Sequence, residues 1–273
     1  MDQRLQHRVQ RYGWDRAASY YEKSWQRQLA PAQDLLLELA ALAPGERVLD
    51  LACGTGLVTF RAAGAVAPAG HVVGTDISDA MIEQCRRTAT QRGVANVTFE
   101  RMAAEQLALP DESFDAVLCA LGMMYVVDFE GSIREAFRVT KPGGRAVSAV
   151  WGRRDRCGWA PIFEIVERRV QSDVCPMFFQ LGTGDMQKAL FELAGFVNAR
   201  SERIDATLEY DTGEEACVAA FAGGPVAMAY SRFDEPTRAG AHAEYLESIA
   251  AYRRGDRYEI PGEYVVTIGS RAA

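Results

Sequence analysis

Val48-Leu49-Asp50-Leu51-Ala52-Cys53-Gly54-Thr55-Gly56 is the stretch on which the fold turns. Val48 to Leu51 is a short apolar run without helical period, opened by the turn pair Pro44-Gly45 and closed by two glycines. Such a run predicts a strand buried on both faces of a parallel sheet. Leu57 to Val66 has the composition of a helix, so Gly54 and Gly56 fall where the carboxyl end of a strand turns into a helix. Small ligands bind in crevices of this kind. Glycine lacks a Cβ, so both positions can take unusual dihedrals and let a ligand lie against bare backbone. A dinucleotide site would ask for GxGxxG, and its third glycine position here is Thr59.

His71 to Thr75 predicts a second strand, β-branched and apolar at Val72 and Val73, that ends in Asp76. Asp76 lies 20 residues beyond Gly56 (76 − 56). At that offset a strand-end acid can accept hydrogen bonds from both ribose hydroxyls, and a carboxylate suits the task because it only accepts. Ser78-Asp79-Ala80-Met81 opens a helix to about Arg92, with Ser78 as its cap and Gly93 as its stop. Val97 to Glu100 and Phe114 to Ala120 predict strands three and four, and Phe129 to Val139 a helix. After the breaker-rich Lys141-Pro142-Gly143-Gly144-Arg145, Ala146 to Trp151 predicts strand five.

The segment VLDLACGTG resembles the cofactor loop of the class I methyltransferases that use S-adenosylmethionine (SAM) and release S-adenosylhomocysteine (SAH). It is most similar to the small-molecule, quinone-ring (ubiquinone-menaquinone C-methyltransferase-like) branch. The resemblance implies an α/β, doubly wound, Rossmann-like sheet of seven mostly parallel strands with helices on both faces, as the alternation of strands and helices also argues. It extends the cofactor-binding set to Asp50, Ala52, Gly54, Thr55 and Gly56 in the loop and to Asp76 and Ile77 after strand two. Met81 would cover the adenine, and Ala120 would stand at the end of strand four. Asp15-Arg16-Ala17-Ala18-Ser19-Tyr20-Tyr21-Glu22 resembles the leading helix, whose tyrosine near the cofactor carboxylate is Tyr21, or Tyr20 in the other register. Arg101 to Asp115 resembles the segment that reads adenine, with one departure: many relatives have an aspartate where this chain has Ala103. Backbone around Ala104, the side chain of Glu105, or water must then serve.

In this family the stretch after strand four passes under the transferring methyl group. Here it is Leu121-Gly122-Met123-Met124-Tyr125, so Met124 and Tyr125 are substrate candidates and Tyr125 the residue placed nearest the reacting atoms. No general base is assigned: His71 starts a strand at the wrong end of the sheet, His7 lies in a polar leader, and His242 sits in a surface-like helix.

Residues 1–42 are expected to form a helical lid of two helices, Asp15 to Trp25 and Pro31 to Leu42, the second started by its proline. Residues 43–273 form the expected SAM-binding core, with cap insertions at about 152–182 and 211–258. The first insertion carries a helix near Pro161 to Gln171 and then Cys175-Pro176-Met177-Phe178-Phe179; the second has a long helical span from Asp234 to Tyr252. Phe178, Phe179 and Phe221 are candidates to line a moderately apolar acceptor site, as is Tyr230. Asp185 to Ala194 predicts a helix, Asn198 to Tyr210 strand six, and Glu263 to Ser270 a last, antiparallel strand beside strand five.

Composition sets the outer bounds. With 273 residues, 48% of them hydrophobic and 25% charged, the chain can bury a sizeable core. A net charge of −7 gives no general footprint for nucleic acid or anionic membrane. A polar amino terminus and no apolar run near membrane-spanning length lead to a cytoplasmic expectation, without membrane insertion. The six cysteines are scattered without a CxxC pair, which predicts a reduced, metal-free protein. The expected function is methyl transfer from SAM to a small acceptor. The alternatives are a SAM-binding protein without transfer, an arsenite-type enzyme using Cys157, Cys175 and Cys217, and an NAD-dependent oxidoreductase.

Overall fold

The computed structural model describes residues 3–170 and 177–273. The predicted first strand is β1 (Arg47–Leu51), buried from Val48 onward. It pairs in parallel with β2 (His71–Asp76) on one side and β4 (Phe114–Ala120) on the other, placing Val48 beside both Val72 and Ala116. β3 (Val97–Arg101) extends the sheet beyond β2, and β5 (Thr140–Trp151) extends it beyond β4, both parallel. Sheet order therefore reverses at β1, and the carboxyl ends of β1, β2 and β4 open side by side. Ligands bind at this kind of switch point.

Three further strands finish the sheet: β6 (Val197–Tyr210), the two-residue β7 (Arg253–Arg254) and β8 (Arg257–Ser270). β8 runs antiparallel between β5 and β6, as expected, and β7 pairs only with β8. β8 is longer than predicted because Tyr258 to Gly262 continue the ladder against Leu208, Glu209 and their neighbours. β5 likewise starts six residues early, at Thr140. Its glycine-rich entry is tied by two backbone bonds, from the Gly143 N–H to the Arg271 carbonyl at 3.0 Å and from the Arg271 N–H to the Gly144 carbonyl at 2.8 Å.

The helices are α1 (Gln3–Ala40), α2 (Thr59–Val66), α3 (Asp79–Arg92), α4 (Phe129–Val139), α5 (Pro161–Val170), α6 (Met186–Ala194), α7 (Gly213–Cys217), α8 (Ala227–Tyr230) and α9 (Glu235–Ser248). The Ser78 hydroxyl caps α3 by accepting from the Met81 N–H, and Gly93 ends it in a left-handed conformation. The span expected to run helical to Tyr252 leaves its α-helix at Ser248 and makes one 3₁₀ turn at Ala250–Tyr252. Gln171 and the Cys175-Pro176 pair lie outside the described residues.

The leader differs most from expectation, because the two predicted helices are a single one that passes through Pro31. A proline inside a helix removes one backbone bond and crowds the preceding turn. Tertiary packing overrides that cost here. Trp25, Leu29, Ala32, Leu36 and Ala40 form one continuous buried stripe at helical spacing, none more than 5% exposed. Gln28 also locks this half to β6, donating to the Glu209 carbonyl at 2.6 Å and accepting from the Glu209 N–H at 2.9 Å. The preceding half is different, with Leu5, Val9 and Tyr12 all exposed. Leu36→Ala is therefore expected to lower unfolding free energy in urea by about 2–5 kcal/mol. Val9→Ala should change it by less than about 0.5 kcal/mol.

Candidate active site

The loop after β1 is built on backbone that few residues adopt. Gly54 and Gly56 have φ of +55° and +89°, and a Cβ at Gly56 would come within 2.6 Å of the Phe60 ring. Ala52 also has positive φ, at 52°, as does Leu121 after β4, at 60°. Both stand on adjacent strand ends and face the same cavity. Non-glycine residues in this region carry strain, which persists where surrounding structure fixes it, commonly at ligand sites.

That cavity, of about 690 Å³, lies over the carboxyl edge of the sheet. Its wall includes Ala52 and Gly54 from the loop, Asp76, Ile77 and Met81 from β2 and α3, and Ala103, Ala104 and Glu105 after β3. Ala120 and Tyr125 close the β4 side, and Tyr21 reaches in from α1. Asp50 lies deeper, on a smaller recess that it shares with Tyr21 and Gly54. Thr55 and Gly56 stand behind the loop; the Thr55 hydroxyl is buried and finds no partner. Met124 is buried in the 3₁₀ turn Met123–Tyr125.

Asp76 is the centre of the cavity's electrostatics. One carboxylate oxygen accepts the Gly54 N–H and the other the Ser78 N–H, each at 2.9 Å, and the side chain is only 7% exposed. Each oxygen keeps a second lone pair, so two hydroxyl donors can still be accommodated. Burial raises its pKa to about 6 despite those two bonds. Burial raises Asp50 further, to about 7, although the Thr59 hydroxyl donates to it at 2.6 Å. Burial and then these two carboxylates also raise the Tyr21 phenol, which stays neutral. Two buried acids side by side make a floor that favours a positively charged ligand.

The first half of α1 lies across the cavity and brings in residues that the sequence reading passed over. His7, Gln10 and Trp14 line it. His7 Nε2 is 3.1 Å from Glu105 Oε1, an oxygen that also accepts the Val127 N–H at 2.9 Å. Arg11 pairs with Asp79, and Asp15 accepts both the Ser78 hydroxyl at 2.6 Å and the Ala80 N–H at 3.1 Å. His7, Arg11 and Asp15 are four residues apart, which places them on one helix face. That spacing was the available signal.

The remaining candidates sit elsewhere. Phe178 and Phe179 are buried in an aromatic cluster with Trp159 and Phe163, and Phe178 meets Tyr125 edge-on at 5.2 Å. Phe221 is fully buried against Tyr230, Tyr245 and His242, apart from the cavity. His242 is not surface-like, since its ring stacks on Tyr230 and its Nε2 is 3.0 Å from the Tyr230 hydroxyl. Cys157 and Cys217 are buried in different surroundings, the first near the Glu263 carbonyl, and burial pushes both thiols up to about 12. Cys175 lies outside the described residues. No helix among the described residues is long and apolar enough to cross a membrane.

SAM fits these groups. Its ribose diol matches the two open acceptor positions of Asp76, its cationic sulfonium and ammonium match the acidic floor, and Gly54 leaves bare backbone beside Tyr21. The nucleoside end would be held by Asp76, Ile77, Met81 and the backbone at Ala103 and Ala104, and the amino-acid end by the loop, Asp50 and Tyr21.

Comparison with known proteins agrees. Residues 42–167 match the family model of a methyltransferase domain. The ubiquinone/menaquinone biosynthesis C-methyltransferase UbiE of Ectopseudomonas mendocina is 46% identical over 110 residues, 40% of this chain and 43% of that protein. Aklanonic acid methyltransferase DauC of a Streptomyces species is 34% identical over 132 residues, 48% of this chain and 60% of that protein. The match to UbiE thus spans less than half of that relative's own length. Among solved structures, the YcgJ protein from Bacillus subtilis has a TM-score of 0.60 at 21% identity, over 89% of this chain and 99% of that one. The [4+2]-cyclase SpnF has a TM-score of 0.60 at 23% identity, over 92% of this chain and 83% of that one. Over residues 42–167 the chain is thus similar to methyltransferase domains, and it shares its fold with these solved structures. The relatives that match that segment include the quinone-ring C-methyltransferases.

The raised pKa values have a measurable consequence. Between the ordinary carboxylate range and about pH 6 to 7, folded Asp76 and Asp50 hold protons that the unfolded chain has released. Their contribution therefore makes the ligand-free protein less stable as pH rises through that window. Asp76→Asn turns one of the two accepting oxygens into an amide donor that cannot take the Gly54 or Ser78 N–H, so it is expected to lower the Tm of the ligand-free protein and to weaken SAH binding at least about tenfold by calorimetry. Wild-type affinity for SAH should fall as pH drops below about 6, where Asp76 takes up its proton.

Proposed function

We propose that this chain transfers the methyl group of SAM to a small, moderately apolar acceptor by in-line displacement. The observation that carries the reading is Asp76, buried and anchored by the Gly54 and Ser78 N–H groups, at the switch point of the sheet. When bound, SAM supplies a methyl group already activated by its sulfonium. The protein's own task is then to orient the acceptor, bring it within roughly 3 to 3.5 Å of that carbon and exclude water.

The residues divide that work. Asp76 and Met81 grip and cover the nucleoside, while Glu105 fixes the loop after β3 through the Val127 N–H and holds the lid through His7. Tyr125 stands at the β4 end, where Trp14 meets its ring edge-on at 4.7 Å, and is the residue we place beside the acceptor. Residues 1–42 act as the lid and the insertions at about 152–182 and 211–258 as the cap. An acceptor that needs no proton removed before transfer suits a site to which no general base is assigned. The acidic chain works in the cytoplasm on a small molecule, without nucleic acid or membrane as partner.

Thermal shift offers the first check. SAM or SAH is expected to raise the Tm of the protein by several degrees at a hundredfold excess over its Kd, whereas NAD should leave it unchanged. Radiolabel from methyl-labelled SAM should then enter a small-molecule fraction of a mixed metabolite extract. Stabilisation by NAD alone would reject the reading, and SAH binding without any transfer would reduce the chain to a SAM-binding protein.

A further inference from the structure

Two cysteines meet beneath the glycine loop. Cys53 follows Ala52 after β1, and Cys85 lies on α3. With Ile82 and Phe99 they form a small buried cluster separate from the main core. The two thiols are in hydrogen-bonding contact. Both sulfurs also lie against the Gly54 carbonyl, Cys85 Sγ at 3.1 Å and Cys53 Sγ at 3.9 Å. Two glycines leave room for them: a Cβ at Gly74 would come within 3.1 Å of Cys53 Sγ, and one at Gly56 within 3.2 Å of Cys85 Sγ.

The pair is unequal in access. Cys85 is fully buried, whereas Cys53 is 8% exposed and lines the recess that it shares with Asp50, Gly54 and Tyr21. A small reagent entering that recess meets Cys53 first, with Cys85 in contact behind it. The Cys85 contact and then burial hold the Cys53 thiol well above its usual pKa, and the charges of Asp76 and Asp50 add to the effect. A thiol kept protonated reacts slowly, and an acidic floor repels anionic reagents. The oxidant that suits the recess is therefore small and uncharged, as a peroxide is.

We propose that Cys53 and Cys85 are a modification site, oxidised by hydrogen peroxide to a disulfide that disables the cofactor loop. The Cys53 sulfur attacks one peroxide oxygen and breaks the O–O bond, becoming a sulfenic acid, while the released hydroxide takes the Cys53 proton and leaves as water. The Cys85 sulfur then attacks the sulfenic sulfur, the S–O bond breaks, and the departing hydroxide takes the Cys85 proton as a second water. Two thiols are oxidised and one peroxide is reduced. Oxidation removes the S–H donor that Cys85 directs at the Gly54 carbonyl and draws the two sulfurs from contact to bonding distance. Gly54 is left-handed, and its N–H is one of the two that anchor Asp76, so a displaced Cys53 disturbs the carboxylate at the centre of the site. Coupling of this kind is reciprocal: a disulfide that weakens cofactor binding is itself disfavoured by bound cofactor. The inference rests on the SAM reading for the ligand whose binding is switched.

The test uses the full chain in its reduced form, with and without saturating SAH. Calorimetry on the reduced protein first records SAH binding, and its absence would defeat the SAM reading itself. Millimolar hydrogen peroxide is expected to produce a peptide pair linking Cys53 to Cys85, found by mass spectrometry as two hydrogens lighter than the reduced pair. SAH affinity should fall about tenfold or more as the link appears and return with dithiothreitol, which would not restore an oxidised Met81. Bound SAH should slow formation of the link. Cys85→Ala, which lacks the second thiol, should show no loss of SAH affinity that dithiothreitol reverses. Absence of the link in peroxide-treated wild type, a link with unchanged SAH affinity, equal rates of linking with and without SAH, or a reversible loss in Cys85→Ala as large as in the wild type would each overturn the proposal. Should reduced Cys85→Ala fail to bind SAH, the wild-type relation between link and affinity still decides the matter.

Discussion

The carboxylate of Asp76 is held by two backbone N–H groups, and much of the molecule is arranged to make that bond pair possible. A buried carboxylate is tolerated only with donors in place. The donors here come from the glycine loop after β1 and from the entry of α3, so one side chain sets the relative position of two βα junctions. Ser78 carries the constraint outward, since its N–H meets Asp76, its hydroxyl caps α3, and the same hydroxyl donates to Asp15 of α1. Asp50, bonded to Thr59, does the equivalent for the start of α2. Burial has raised the pKa of both acids, so the ligand-free site stores unfavourable charge that a cationic ligand would relieve. Natural sites often trade stability for function in this way.

α1 serves two purposes because its surroundings change along its length. Its second half is core, anchored by an apolar stripe, by Gln28 against β6 and by the Tyr264 hydroxyl on the Gln28 carbonyl at 2.8 Å. Its first half touches the rest of the protein mainly through polar contacts at His7, Arg11 and Asp15 and through Trp14. Segments with few buried apolar contacts open at lower free energy than the core they extend from. Of these polar contacts only the Arg11–Asp79 pair is exposed, and surface pairs of that sort are individually weak.

What could be read from the sequence was what is encoded over short distances. The strand, the glycine turn and the strand-end acid lie within about thirty residues of one another, and their chemistry is constrained by backbone geometry that few other residues satisfy. The capping of α3 by Ser78 was legible for the same reason. The unbroken α1 was not, because local propensity at Pro31 points to a helix start, and it is the buried stripe on both sides that overrides it. His7 and Trp14 were passed over in a polar leader; only tertiary placement brings them to the cavity. Phe221 was legible as apolar but not as to where it packs, since an aromatic side chain reads alike whether it lines a pocket or fills the cap.

Fold alone leaves chemistry open, so the functional reading rests on Asp76 and draws next on how two adjoining cavities differ. The larger offers carboxylates, bare backbone and a covering helix; the smaller, lined by Trp14, Trp25, Trp151 and Trp159, offers indole faces. A reagent that is positive and polar at one end and transfers an apolar carbon at the other needs such a division, with charge complementarity on one side and water exclusion on the other. Trp14 and Tyr125, packed edge-on, form the partition. Tyr125 is fixed from behind by Phe178, and Leu121 beside it is held in its unusual conformation by the bond from its N–H to the Ala149 carbonyl at 2.8 Å. The partition is therefore built half from the β4 end of the sheet and half from the first half of α1.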